Sequence, residues 1–143
     1  MKDGFIKVAA ATPEVRVADV EFNTDTAIEY IKTAERHGAK LIVLPELGLT
    51  AYTCGDLFLQ TDLIRRAEQG LLSIAAETAE YDILAVVGLP VSKNGKLYNC
   101  SAFLKDGEIL GFVPKTYIPN YGEFYERRWF RPGTELQIGR AHV

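Results

Sequence analysis

Lys40-Leu41-Ile42-Val43-Leu44-Pro45-Glu46-Leu47-Gly48-Leu49-Thr50-Ala51-Tyr52 is the stretch that decides the fold. Its first half is a short apolar run with β-branched members, which reads as a buried strand. Its second half leaves the strand through a proline and presents a carboxylate, Glu46. In open α/β sheets ligands bind just beyond the carboxyl ends of strands. A catalytic acid or base is therefore expected here.

Upstream, Phe5 to Ala11 predicts a first strand. Asn23 or Thr24 can cap a helix, because a short side-chain oxygen accepts from first-turn amides. Ala27, Ile28, Ile31 and Ala34 then fall at helical spacing, and Gly38 stands where a left-handed cap is wanted. Downstream, Thr61 starts a longer helix whose apolar face is Leu63, Ile64, Ala67, Leu71, Leu72 and Ala75. Asp82 to Gly88 predicts a third buried strand, closed by Pro90. The pattern then changes. Asn94-Gly95 suits the positive φ angles of a type I′ hairpin turn. Leu97 to Leu104 is a strand, Lys105-Asp106-Gly107-Glu108 a second turn, and Ile109 to Val113 a further strand. Two βα units followed by an antiparallel meander make an α/β fold: a mixed sheet flanked by helices on one face. No repeat, linker or low-complexity segment interrupts it.

The bulk numbers exclude more than they identify. The 143 residues are 48% hydrophobic and 24% charged, enough apolar material for one core. A net charge of −3 gives no electrostatic argument for nucleic acid or for an anionic membrane surface. No apolar run approaches the roughly 20 residues of a membrane helix. Met1 to Val8 carries an acid and no cleavable apolar segment, so it does not read as a signal peptide. Two cysteines, Cys54 and Cys100, make no disulfide framework. The expected location is cytoplasmic. Ile138-Gly139-Arg140-Ala141-His142-Val143 resembles translated adapter sequence and follows a stretch that stops in mid-element. Residues 138–143 are read as a non-native tail, with no role for His142, and residues 1–137 as the N-terminal part of one longer domain.

A second stretch carries chemistry: Pro114-Lys115-Thr116-Tyr117-Ile118-Pro119-Asn120-Tyr121-Gly122-Glu123-Phe124-Tyr125-Glu126. Lys115 leaves a strand as Glu46 does, so the two can converge on one pocket. Each has an ordinary alternative. Glu46 can be a capping or salt-bridged surface glutamate, and Lys115 a snorkelling surface lysine. The functional reading makes Glu46 a general base in an apolar corner and Lys115 a fixed cation for a developing oxyanion. Glu123 lies in an aromatic cluster of Tyr117, Tyr121, Phe124, Tyr125, Trp129 and Phe130. It either sits in a loop that simply packs, or orients Lys115 and a substrate amide. Tyr52 and Tyr121 are candidates to line the pocket. Cys54 reads as a small buried hydrophobe opening a helical turn, and Cys100 as core. Neither is expected to face Glu46, and His37 is given no catalytic role.

Glu46 and Lys115 in these settings resemble two members of the Glu–Lys–Cys triad of the nitrilase superfamily. The strings Thr53-Cys54-Gly55-Asp56-Leu57-Phe58 and Glu123-Phe124-Tyr125-Glu126-Arg127-Arg128 narrow the resemblance to the glutaminase domains of glutamine-dependent NAD⁺ synthetases, over residues 1 to 137. The resemblance implies an incomplete nitrilase-like α-β-β-α sandwich. It implies Glu46 as general base, Lys115 as oxyanion-stabilising lysine, Glu123 as a second glutamate, and Tyr52 and Tyr121 near the substrate. L-Glutamine would be the substrate. Nicotinic acid adenine dinucleotide, ATP and Mg²⁺ would belong to a synthetase domain outside this sequence, in a homo-oligomeric parent. The nucleophilic cysteine of the family has no counterpart here, so the chain alone is expected to be inactive and to expose an unpaired sheet edge and an apolar face. The alternatives are a stand-alone nitrilase-type amidase or carbamoylase, and a non-catalytic α/β binding module in which Glu46 and Lys115 are a structural ion pair.

Overall fold

Two hydrophobic periodicities build the layers of this chain. The computed structural model describes residues 3–136, and the tail at 138–143 lies outside the described residues. Strand β1 spans Lys7–Ala10, helix α1 Val20–Arg36, β2 Ala39–Val43, α2 Thr61–Glu77, β3 Leu84–Lys93, β4 Lys96–Lys105 and β5 Glu108–Pro114. Short 3-10 turns occupy Gly55–Leu59, Glu126–Arg128 and Gly133–Glu135. The strands form one sheet in the order β1-β2-β3-β4-β5. The first three are mutually parallel and the last three form an antiparallel meander.

Ala27, Ile28 and Ile31 of α1 and Ala67, Leu71, Ile74 and Ala75 of α2 recur at three- and four-residue intervals. That spacing puts them on one stripe of each helix. Both stripes meet the same sheet face, where Ile42, Ala85, Val87, Leu89, Ala102 and Leu104 complete the main core. A strand alternates sides at every residue, so Val43, beside buried Ile42, points to the opposite face. Val43 is exposed there, as are Val8 and Val113. Among the described residues β1 and β5 are the two edges of the sheet.

Two local expectations are corrected. The cap of α1 is Asp19, whose carboxylate accepts from the Phe22 amide at 3.1 Å, not Asn23 or Thr24. Asn23 is spent elsewhere: its buried amide accepts from the Arg16 N–H at 2.8 Å and donates to the Arg16 and Leu49 carbonyls. Pro90 does not close β3, which runs on to Lys93. The Gly88 carbonyl points away from β4, toward the Leu49 amide at 3.2 Å. Residues two apart share a side, so the Pro90 nitrogen also faces away from β4. β2 pairs with β3 only as far as Val86, and no ladder bond is lost at Pro90. The Asn94-Gly95 turn adopts positive φ at both positions, 53° and 74°, as its sequence requires.

Gly88 carries the closest backbone approach in the sheet. A Cβ there would stand 2.5 Å from the Pro45 carbonyl oxygen and 2.6 Å from the Leu47 nitrogen. Both are main-chain atoms of the turn that carries Glu46, and neither can rotate aside. Gly88→Ala should therefore destabilise the fold by roughly 1–3 kcal/mol through overpacking. Gly111→Ala, where a Cβ meets nothing within 4 Å, should be nearly neutral. Denaturant midpoints of the two variants check this.

Candidate active site

Chain polarity brings Glu46 and Lys115 to one rim. β2 and β3 are parallel, β4 runs back, and β5 runs forward again. The carboxyl ends of β2 and β5 therefore lie on the same side of the sheet, and β4 begins there. Glu46 follows the first end, Lys115 the second, and Asn99 lies near the start of β4.

The Glu46 turn is docked on β3 by main-chain bonds from Leu44 to Val86, 3.0 Å, and from Leu49 to Gly88, 3.2 Å. Leu47 and Ala51 take positive φ, 52° and 68°, unusual for side-chain-bearing residues and typical of strained functional turns. Leu47 is fully buried beneath this turn, which leaves Glu46 pointing outward. The Lys115 main chain is held from both sides. Its amide donates to the Asn99 carbonyl at 2.7 Å, and its carbonyl accepts from Gly133 at 2.8 Å.

The Lys115 ammonium donates to Glu46 Oε1 at 2.6 Å and to Glu126 Oε1 at 3.1 Å. Tyr52 Oη donates to the other oxygen, Glu126 Oε2, at 2.6 Å. Asn99 Nδ2 donates to Glu46 Oε1 at 2.7 Å. Burial opposes the charge on Lys115, but its bonds to Glu46 and Glu126 outweigh that and hold its pKa above the ordinary lysine value. Burial, together with the hydrogen bond to Glu126 and the surrounding carboxylates, pushes the Tyr52 phenol far above its ordinary range, so it stays a donor.

The expected pair of Glu46 and Lys115 is thus in contact, with Tyr52 beside it. The expectations for the surroundings of Glu46 and for Glu123 need correction. Glu46 is not in an apolar corner: its side chain is 44% exposed, between an ammonium and an amide. The carboxylate that orients Lys115 is Glu126, 4% exposed, not Glu123. The loop turns at Gly122, where φ is +58°. Glu126 then opens a 3-10 turn with its amide bonded to the Pro119 carbonyl and Phe130 buried beyond it. Glu123 is left on the exposed surface, adding its charge to the field around Tyr52. Tyr121 is also exposed and packs edge-on against Phe124.

Glu126 and Asn99 are the residues the sequence reading missed. Glu126 precedes Trp129 and Phe130 by three and four positions, the helical spacing of a buried face, and that signal could have separated it from Glu123. Asn99 is a lone amide alternating with core residues in β4, and nothing local marks it.

A second link joins the two diagnostic strings. Asp56 accepts from Arg128 Nε at 2.7 Å and Nη2 at 2.9 Å, and from Trp129 Nε1 at 3.0 Å. These bonds hold the Asp56 carboxyl well below the usual carboxylate range. Phe58 packs against the Phe130 and Trp129 rings at 5.0 and 5.9 Å. The chain after Glu46 is thereby tied to the chain after Glu126.

Neither cysteine faces Glu46. Cys54, 5% exposed, donates to the Thr50 carbonyl at 3.0 Å and packs among Leu47, Phe58 and Ile118. Cys100 follows Asn99, so strand alternation points it to the opposite face. Burial pushes both thiols up, Cys100 to about 12. A thiol reagent at pH 8 should therefore label neither cysteine before the chain unfolds. Rapid labelling of Cys54 in the native state would restore it as a nucleophile.

Residues 7–143 match the carbon-nitrogen hydrolase family model. The glutamine-dependent NAD⁺ synthetase of Mycobacterium bovis is 37% identical over 98% of this chain and 21% of its own length. That of Thermotoga maritima is 38% identical over 93% of this chain and 23% of its own. The chain spans about a fifth of these relatives. The crystal structure of the Cytophaga hutchinsonii glutamine-dependent NAD⁺ synthetase superposes with a TM-score of 0.84 at 33% identity, covering 89% of this chain and 22% of that one. An amidase from Nesterenkonia sp. shares the fold, with a TM-score of 0.76 at 23% identity over 92% of this chain and 49% of its own. With its α/β sheet and its match from β1 onward, the chain belongs to the carbon-nitrogen hydrolase family.

Proposed function

We propose that this chain is the glutamine-hydrolysing part of a glutamine-dependent NAD⁺ synthetase, its catalytic groups Glu46 and Lys115. The observation that carries the reading is the Lys115 ammonium shared between Glu46 and Glu126 at 2.6 and 3.1 Å. Relatives across bacteria that carry the synthetase name, at 37–38% identity, support the substrate. Tyr52 and Tyr121 are assigned to the glutamine-binding rim. Glu123 contributes negative charge there, and Glu126 takes the orienting role.

In the proposed reaction Glu46 removes the proton of a cysteine thiol supplied from outside this chain. The thiolate attacks the side-chain amide carbon of L-glutamine. The carbonyl electron pair moves to oxygen, where the Lys115 ammonium and a backbone N–H meet the oxyanion. Glu46 then gives its proton to the departing nitrogen, the C–N bond breaks, and ammonia leaves. Water, deprotonated by Glu46, attacks the thioester; glutamate departs, and the sulfur recovers the proton. The ammonia amidates nicotinic acid adenine dinucleotide at a synthetase site that uses ATP and Mg²⁺. That site is assigned outside these residues, in a cytoplasmic homo-oligomer.

Glu46→Gln in the full-length protein should reduce glutamine-dependent NAD⁺ formation by roughly 10²–10⁴-fold, the usual worth of a positioned base. It should leave synthesis from free ammonia intact. An assay with each nitrogen source checks this, and loss of both activities or of neither counts against the assignment. The 143-residue chain by itself should release no ammonia from glutamine. Hydrolysis of simple amides without any NAD⁺ synthesis by the full-length protein would favour a stand-alone amidase. Because its folded pKa is raised, Lys115 keeps its charge below that value and loses it only as the pH rises through it. No alkaline limb in kcat/KM below pH 10.5 should therefore belong to this lysine. A limb near neutrality that moves in Lys115→Arg would contradict this.

A further inference from the structure

Asn99 is the one buried side-chain amide that reaches this site among the described residues. It is 4% exposed, on a central strand of the sheet. Two of its groups act in two directions. Its side-chain Nδ2 donates to Glu46 Oε1 at 2.7 Å. Its main-chain carbonyl accepts from the Lys115 amide at 2.7 Å. It therefore sets the distance between the β2 exit and the β5 exit with one residue. A carboxylate cannot donate, so the amide must turn its NH₂ group toward Glu46.

The same oxygen of Glu46 also receives the Lys115 ammonium, at 2.6 Å. Oε1 thus has two donors, Asn99 from within β4 and Lys115 from the β5 exit, while no donor from the described residues reaches Oε2. We infer that Asn99 is a positioning residue that, with Lys115, ties down Oε1 and so makes Oε2 of Glu46 the oxygen that takes the nucleophile's proton. The inference rests on the reading of Glu46 as the base. In the step, the S–H bond of the thiol breaks, its electron pair stays on sulfur, and the proton forms a bond to Oε2. Fixing one oxygen stops the carboxylate rotating about its terminal torsion, which is broad and two-fold. The working oxygen is then held in one place, and reaction rate is sensitive to displacements of about 1 Å.

The test uses Asn99→Leu, which keeps the branching at Cγ and removes the donor, and Asn99→Asp, which replaces the donor by a second carboxylate. Both are made in the full-length protein. Losing the donor should lower kcat for glutamine by about tenfold to a hundredfold with little change in KM. It should also move the acid limb of the kcat/KM profile to higher pH, because a hydrogen bond to the ionised form favours that form. Asn99→Asp should move the limb further. Asn99→Ser, with a shorter donor, should fall between wild type and Asn99→Leu, and serves if the leucine variant does not fold. The ¹³C titration of the Glu46 carboxyl carbon, assigned with Glu46→Gln, reads the same shift without turnover. An acid limb and a ¹³C titration unmoved in all three variants would overturn the role of Asn99. An unaltered protein that hydrolyses no glutamine would overturn the glutaminase reading, and the ¹³C titration would still decide whether Asn99 holds the Glu46 carboxylate.

Discussion

One ammonium between two carboxylates is the contact on which the rest of this structure depends. Glu126 is nearly sealed from solvent. A carboxylate taken out of water without partners costs several kcal/mol, far more than most local contacts return. Here both of its oxygens are occupied, Oε1 by Lys115 and Oε2 by Tyr52. Lys115 in turn needs an anion, because burial works against its charge. Tyr52 comes from a segment 74 positions before Glu126, while Lys115 stands 11 positions before it, and the buried carboxylate is tolerable only where both donors are present. Segment placement at this rim is therefore enforced by charge as well as by packing.

Main-chain contacts carry that enforcement into the fold. The parallel part of the sheet delivers Glu46, and the meander delivers Lys115. Two reversals are needed between β3 and β5, since only an even number restores the polarity that returns a strand exit to the same rim. Both reversals are tight turns with left-handed residues, Asn94-Gly95 and Asp106-Gly107. The sheet then fixes the approach of the two exits through Gly88, which lets the Glu46 turn lie against β3, and Asn99, whose carbonyl holds Lys115. Farther out, Asp56 ties the two segments together with bonds to consecutive residues. As an exposed ion pair it adds little stability, yet its forked geometry restricts orientation.

What was legible in the sequence follows the range of the forces involved. Strands, helices and hairpins came from patterns within a dozen residues, and the Glu46 and Lys115 settings were visible as strand exits. Cap choice at α1 was not, because Asn23 is claimed by Leu49, 26 positions away. The continuation of β3 past Pro90 was not, because it depends on where β2 stops pairing. Glu126 and Glu123 lie in one charged, aromatic string, where the spacing to Trp129 and Phe130 is a weak signal and the burial of Ile118 and Phe130 fixes which glutamate turns inward. Asn99 had no local signature at all, since its meaning depends on a carboxylate two strands away in the sheet.

The difference between the two carboxylates on Lys115 also divides their chemistry. Glu126 is buried and both of its oxygens are bonded, so it has no free lone pair in a place that a reactant can reach. It can hold charge and position, and little else. Glu46 is half-open to solvent and receives both of its donors on one oxygen. Its second oxygen accepts no hydrogen bond from the described residues. Paired titratable groups in unlike environments are how one site separates a structural charge from a reactive one. Exposure keeps Glu46 within reach of a reactant, as the base role proposed for it requires. The lysine serves both glutamates, and their different access to solvent suits Glu126 to support and Glu46 to the base role proposed for it.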